Sequence, residues 1–96
     1  MPVTRKELAF SKRYLKELNL MLKRGCNQDD HTEVVEILQD GGVIPAKYRD
    51  HTMSPTSKSV WQGCRELHIN PDWLLIYETN ETTIRLVATG THSDLY

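Results

Sequence analysis

No run of eighteen apolar residues occurs in this 96-residue chain, which excludes a membrane-spanning helix. The charged N-terminus has no apolar segment behind it, so no secretory signal is expected. Cysteine is scarce. Cys26 and Cys64 have neither CxxC nor metal-ligand spacing, and free thiols in a cytoplasmic chain are the simplest expectation. There is no HxH or HxxxH pair, no repeat and no low-complexity tract. Net charge is also nearly absent, at −1, which argues against a generic nucleic-acid binder held by bulk charge.

The charge that is present is segregated. Residues 1–24 carry seven Lys/Arg against two Glu, whereas residues 25–40 carry five acids and no bases. The basic first segment can face a polyanion or simply solvent. The length implies one domain over residues 1–96 with a core of ordinary small size.

The chain is organised around Trp61–Tyr77 (WQGCRELHINPDWLLIY). Val60 to Ile69 alternates as a half-buried strand, and Asn70-Pro71-Asp72 is a turn. Trp73 to Tyr77 is a continuous apolar run, short enough for a central strand covered on both faces. Before it, Val3 to Phe10 reads as a strand. Ser11 is the expected N-cap of a helix to Arg24 with an apolar stripe of Tyr14, Leu15, Leu18, Met21 and Leu22. Asp30 and Glu33 suggest a capping box for a second helix to Gln39, buried through Val34, Val35, Ile37 and Leu38 and stopped by Gly41-Gly42. Tyr48 to His51 is a short strand candidate, Thr52 to Ser59 a polar mobile loop, and Thr83 to Thr89 a last strand. The expected fold is α+β: β-α-α, then three or four mostly antiparallel strands, with the helical hairpin packed on one sheet face.

Four histidines stand out. His31, in the first turn of the second helix, reads as solvated. His51, His68 and His92 fall at strand ends or turns and can converge on one sheet edge beside Asp72. Three imidazoles and a carboxylate fit acid–base catalysis or metal ligation, and also fit unrelated surface histidines.

KYRDH, then W-x-G-C-R-E-x-H-I-x-P-D-W-L-L-I-Y, then T-G-T-H-S-D-L-Y resembles the YafQ branch of the RelE-like bacterial toxins, over Tyr48 to Tyr96. The resemblance implies a RelE-like fold and a ribosome-dependent endoribonuclease that cuts messenger RNA without metal or other cofactor. It also implies a cognate antitoxin, DinJ-like and of ribbon-helix-helix type, through which alone operator DNA would be contacted. By resemblance His51, His68, Asp72 and His92 are the catalytic set, with His92 the candidate general acid. His51 and His68 would share base and phosphate-contact roles, and Asp72 would orient an imidazole or act as base. Tyr96 matches a C-terminal aromatic that can stack on a base or plug the sheet edge. Arg65, Lys12, Arg13 and Lys16 are the candidate RNA-binding cations.

One departure concerns Ala88. The family usually reads R-T-G-T-H, whereas this chain has Ala88-Thr89-Gly90-Thr91-His92, so the position of a phosphate-clamping arginine holds alanine. Regular strand alternation would place residue 88 on the side of Ile84 and Leu86. The alanine fits a natural low-activity member or a disarmed variant. The alternative is a catalytically impaired protein whose role is antitoxin binding and co-repression.

Overall fold

The computed structural model of the chain describes residues 5–53, 61 and 63–96. Strand β1 (Glu7–Phe10) leads into helices α1 (Lys12–Lys23) and α2 (Gln28–Asp40). A 3-10 turn (Ala46–Tyr48) then precedes β2 (His51–Thr52), β3 (Arg65–Asn70), β4 (Trp73–Thr79), β5 (Thr83–Gly90) and a one-turn helix α3 (His92–Leu95). The sheet order is β1-β5-β4-β3-β2. β1 runs parallel to β5, and the other pairs are antiparallel. The α+β expectation holds, with five strands and one parallel edge pair. The start of the expected first strand and most of the expected Thr52–Ser59 loop lie outside the described residues.

Helix α1 starts where expected. The Ser11 side chain accepts from the Tyr14 backbone N–H at 2.9 Å, and its own hydroxyl donates to the Val87 carbonyl at 2.7 Å, tying the helix start to β5. Tyr14 and Met21 are buried, but Leu15 is half-exposed, so the apolar stripe is narrower than the sequence suggests. Helix α2 is capped three residues before the expected position. Asn27 accepts from the Asp29 N–H at 2.7 Å, and Asp30 lies inside the first turn rather than capping it. Gly41, at φ +72°, closes the helix in the left-handed conformation that glycine adopts without a Cβ penalty.

β4 is buried on both faces from Trp73 to Tyr77, as its unbroken apolar run requires. Trp73, Leu75 and Tyr77 face the helices and pack with Tyr14, Met21, Val34, Leu38, Leu67 and Leu86. Leu74 and Ile76 face the other way, into a second cluster with Trp61, Cys64, Ala88 and Leu95. Burying a side chain the size of Leu95 is worth about 1.5–3 kcal/mol, so α3 is docked by its apolar residue as well as by its caps.

The expected alternation of β5 fails at one point. Ile76 pairs with Ala88 but Tyr77 pairs with Leu86, leaving Val87 as an extra residue, a β-bulge. Ile84 and Leu86 therefore face the helices while Ala88 faces the opposite side, fully buried. Because side chains alternate with period two, one inserted residue exchanges the faces of everything after it.

Candidate active site

The site forms on the sheet face turned away from the helices. On β3, Leu67 and Ile69 point to the helices, so Glu66 and His68 point to the free face. His51 on β2 pairs directly with Glu66, Glu66 with Ile76, and Ile76 with Ala88. These four residues form one row across four strands. His68, Leu74 and Gly90 form the next row.

The histidines converge as expected. Ring centroids of His51 and His68 are 6.5 Å apart, those of His68 and His92 5.6 Å, and those of His92 and Tyr96 6.4 Å. Asp72, at the β3–β4 turn, holds His92. It accepts from the His92 Nδ1 at 2.9 Å and from the His92 backbone N–H at 3.1 Å. Those two bonds, the side-chain one first, hold the Asp72 carboxyl below the usual carboxylate range. His51 is held from its own end by Nδ1 donating to the Arg49 carbonyl at 2.7 Å.

The hub of the site is a residue that the sequence reading passed over. Glu66 Oε1 lies 3.4 Å from His51 Nε2 and 3.8 Å from His68 Nε2, while its Oε2 accepts the Tyr96 hydroxyl. Its side chain is only 7% exposed, so water screens this carboxylate little. Burial first, and the bond to Glu66 second, push the Tyr96 phenol above its ordinary range. An acid in an alternating apolar strand, two residues before a histidine and on its face, was the available signal.

The piece carrying His92 is built by local chemistry. Thr91 caps α3 by accepting from the Asp94 N–H at 3.1 Å, and Asp94 returns the bond to the Thr91 N–H at 2.9 Å. Arg24 reaches from the end of α1 to Asp94 at 2.7 Å. With the Thr91 backbone bond as the lesser contribution, Arg24 brings the Asp94 carboxyl down to about 2. Gly90 is required by space, because a Cβ there would lie 2.9 Å from the Asp94 Cβ. The TGTH sequence is thus a turn, a cap and a presented imidazole.

The remaining expected residues separate into those near the histidines and those bound elsewhere. Ala88 lies on the histidine face but is packed with Ile76, Trp61 and Leu95. Arg65 turns to the helix-facing side, where its guanidinium binds Asp50 at 2.6 Å and Tyr77 donates to the same carboxylate. It serves there as a structural ion pair, away from the imidazoles. Lys12, Arg13 and Lys16 are exposed on α1; Arg13 lies 4.6 Å over the Trp61 ring and pairs with Glu17 at 3.1 Å. His31 is buried, contrary to expectation. It bonds the Tyr14 hydroxyl and stacks on Trp73 at 6.2 Å, and burial lowers its pKa. Its spacing to Val34, Val35 and Leu38 is that of one helix face.

A cleft of about 530 Å³ opens beside the row, lined by His68 and His92, the turn residues Asn70 and Pro71, Lys47 and Arg49 from the 3-10 turn, and Asp30 and Glu33 from α2. Among the described residues, no group of three or more His, Cys, Asp or Glu is arranged to hold a metal ion. Also among them, no helix is long and apolar enough to cross a membrane.

The mRNA interferase toxin YafQ of Escherichia coli is 30% identical over 92 residues, covering 95% of this chain and 96% of that protein. The crystal structure of the E. coli DinJ-YafQ toxin-antitoxin complex contains a chain that matches with a TM-score of 0.84 at 30% identity, over 96% of this chain and 98% of that one. A metal-bound toxin from Helicobacter pylori matches with a TM-score of 0.81 at 32% identity, over 95% and 99%. The family model described as the bacterial toxin of type II toxin-antitoxin systems, YafQ, matches residues 6–96, nearly the whole of the fold and every residue of the histidine row, and the chain belongs to that family.

Proposed function

We propose that this chain is the toxin of a type II toxin-antitoxin system and an mRNA interferase, cutting ribosome-bound messenger by attack of the substrate's own 2′-hydroxyl. The observation that carries this reading is the row of three imidazoles beside an open cleft, with one imidazole fixed by Asp72 and two flanking the buried Glu66. Cleavage of RNA in this way needs a base at the 2′-oxygen, an acid at the 5′-oxygen and positive charge at the phosphate. Asp72 occupies the Nδ1 of His92 and leaves Nε2 to face substrate, which suits His92 as the acid. His51 and His68 share the base and phosphate-contact roles, and Glu66 orients both. The Tyr96 ring, half-exposed beside His92, offers a stacking surface for a base. The cytoplasm, where ribosomes translate, is its place of action, and a DinJ-like antitoxin is its partner. The alternative of a catalytically impaired antitoxin-binding protein is not favoured, because the whole histidine and carboxylate set is present and converges.

The test is primer extension on messenger incubated with programmed ribosomes and purified protein. Cleavage is expected, and His92→Gln should lower its rate by about 10²–10⁴ with thermal stability unchanged, since that imidazole is half-exposed. Intact messenger on programmed ribosomes with folded wild-type protein would overturn the assignment.

A further inference from the structure

With alanine buried at position 88, that position supplies no guanidinium, and a permanent cation to join the imidazoles at the phosphate has to come from another residue. Of the six arginines in the chain, five are paired with a carboxylate: Arg5 with Asp40, Arg13 with Glu17, Arg24 with Asp94, Arg65 with Asp50 and Arg85 with Glu78. Arg49 is the sixth. Among the described residues it has no carboxylate partner, and it lines the same cleft as His68 and His92. The neighbouring Lys47 is drawn over the Tyr48 ring at 4.9 Å.

The backbone at Arg49 is a second, independent sign. It has φ +52° and is the one described non-glycine residue in the left-handed region. That conformation disfavours an L side chain and persists where the surroundings impose it, most often at functional positions. Here it ends the 3-10 turn and aims the Arg49 carbonyl at His51 Nδ1, 2.7 Å away. A glycine would satisfy the backbone more easily, yet an arginine is present. The cleft is lined by the acids Asp30 and Glu33 as well as by Lys47, Arg49, His68 and His92, so an anion is favoured where the cations of the 3-10 turn and the imidazoles are, rather than beside the α2 carboxylates.

We propose that Arg49 is the phosphate-binding cation of this site: its guanidinium takes the non-bridging oxygens of the scissile phosphate, while its carbonyl fixes His51 for the same reaction. The inference rests on the nuclease reading and assigns the charge that reading needs. A guanidinium suits the role because its planar fork meets two phosphate oxygens at once.

Two variants separate the side chain from the carbonyl. Arg49→Gly keeps the carbonyl, relieves the left-handed backbone and removes the charge; Arg49→Lys keeps the charge. Cleavage on programmed ribosomes is measured under single-turnover conditions. Binding is measured with an uncleavable single-stranded oligonucleotide of 2′-deoxy sugars titrated into free toxin across a salt series. In Arg49→Gly, cleavage should fall about 10²–10³-fold, the value of one fixed donor aimed at developing charge. The slope of log affinity against log salt should flatten by about 0.7, one single-strand phosphate contact. Arg49→Lys should restore the slope and part of the rate. Wild-type cleavage and slope in Arg49→Gly would overturn the proposal. Equal losses of rate in both variants with an unchanged slope would overturn it too, leaving only the carbonyl's hold on His51. Should the wild-type protein cut no messenger, the nuclease reading fails, and the salt slope of the uncleavable strand still decides whether Arg49 holds a phosphate.

Discussion

Adding a single methyl group at Gly90 tests how the proposed acid is held. A Cβ at residue 90 would stand 2.9 Å from the Asp94 Cβ, closer than carbon atoms approach without movement, and a tight 3.1 Å from its Oδ2. Asp94 is also the returning half of the α3 cap and the partner of Arg24, so it cannot retreat without breaking both. A cap of this kind is typically worth about 1 kcal/mol. Burial of Leu95 contributes about 1.5–3 kcal/mol to the same docking. Gly90→Ala should therefore leave the domain folded, with a drop of about 1 kcal/mol in stability, while α3 shifts or frays. The consequence for His92 is larger, because a misplacement of about 1 Å can cost about 10²-fold in rate. Differential scanning calorimetry, amide exchange at Asp94 and Leu95, and messenger cleavage are the three readouts. Asp94→Ala, which removes the cap without the clash, should show the same faster exchange and a smaller loss of cleavage. A Gly90→Ala protein with wild-type cleavage and a protected Asp94 amide would refute the view that this glycine exists to let Asp94 close over it.

Other outcomes follow from the same structure. His31→Ala removes the partner of a buried Tyr14 hydroxyl and should cost about 1–3 kcal/mol with no direct effect on the histidine row. Because burial lowers the His31 pKa, the unfolded chain binds its proton first. The stability from keeping it neutral is full above about pH 6.5 and declines as pH falls below that, so acid titration of His31→Phe should show a flatter profile there. Asp94, depressed from 3.8 to about 2, contributes stability present above 3.8 and lost as pH falls to 2; Asp94→Asn should lose the acid-limb dependence in that window. Glu66→Gln keeps the shape of the hub but removes its charge, and cleavage should fall about 10²-fold or more while Tm changes little; full activity would remove Glu66 from the site. Charge reversal at Lys12, Arg13 and Lys16 together should weaken ribosome and antitoxin binding and flatten their salt dependence, and unchanged affinities would mark this face as solvated.

The parts of the fold that were legible in the sequence are those governed by local physics. Five consecutive apolar residues told of a strand covered twice, and Ser11 marked a helix start because its hydroxyl can reach the third amide beyond it. The position of α2's start was less legible, since Asn27 and Asp30 are both residue types that cap helices, and Asn27 takes the role. That His31 is buried could be read from its helical spacing but was obscured by its polarity. The parallel pairing of β1 with β5 has no local signature, because it joins segments 76 residues apart in register. The convergence of His51, His68 and His92 was legible from the strand ends. Glu66 at their centre was less legible, because charge in a strand is usually solvent-facing. The sidedness of Ala88 was unreadable for a different reason: a bulge depends on the pairing partner, and no propensity of Val87 announces it.

That bulge divides β5 into two halves with different obligations. Up to Leu86 the strand answers to the helices, and a change there is felt as packing against Tyr14 and Tyr77. Beyond it, Ala88 answers to Trp61 and Leu95 on the other face. A deletion of Val87 would put the strand back in phase, turning Ala88 toward α1 and carrying Thr89, Gly90 and the turn that holds His92 through a half rotation. The cleft would lose its proposed acid although every residue of the row remained in the sequence. Here the chemistry depends on the parity of a count, and a length change of one is a more severe mutation than most substitutions.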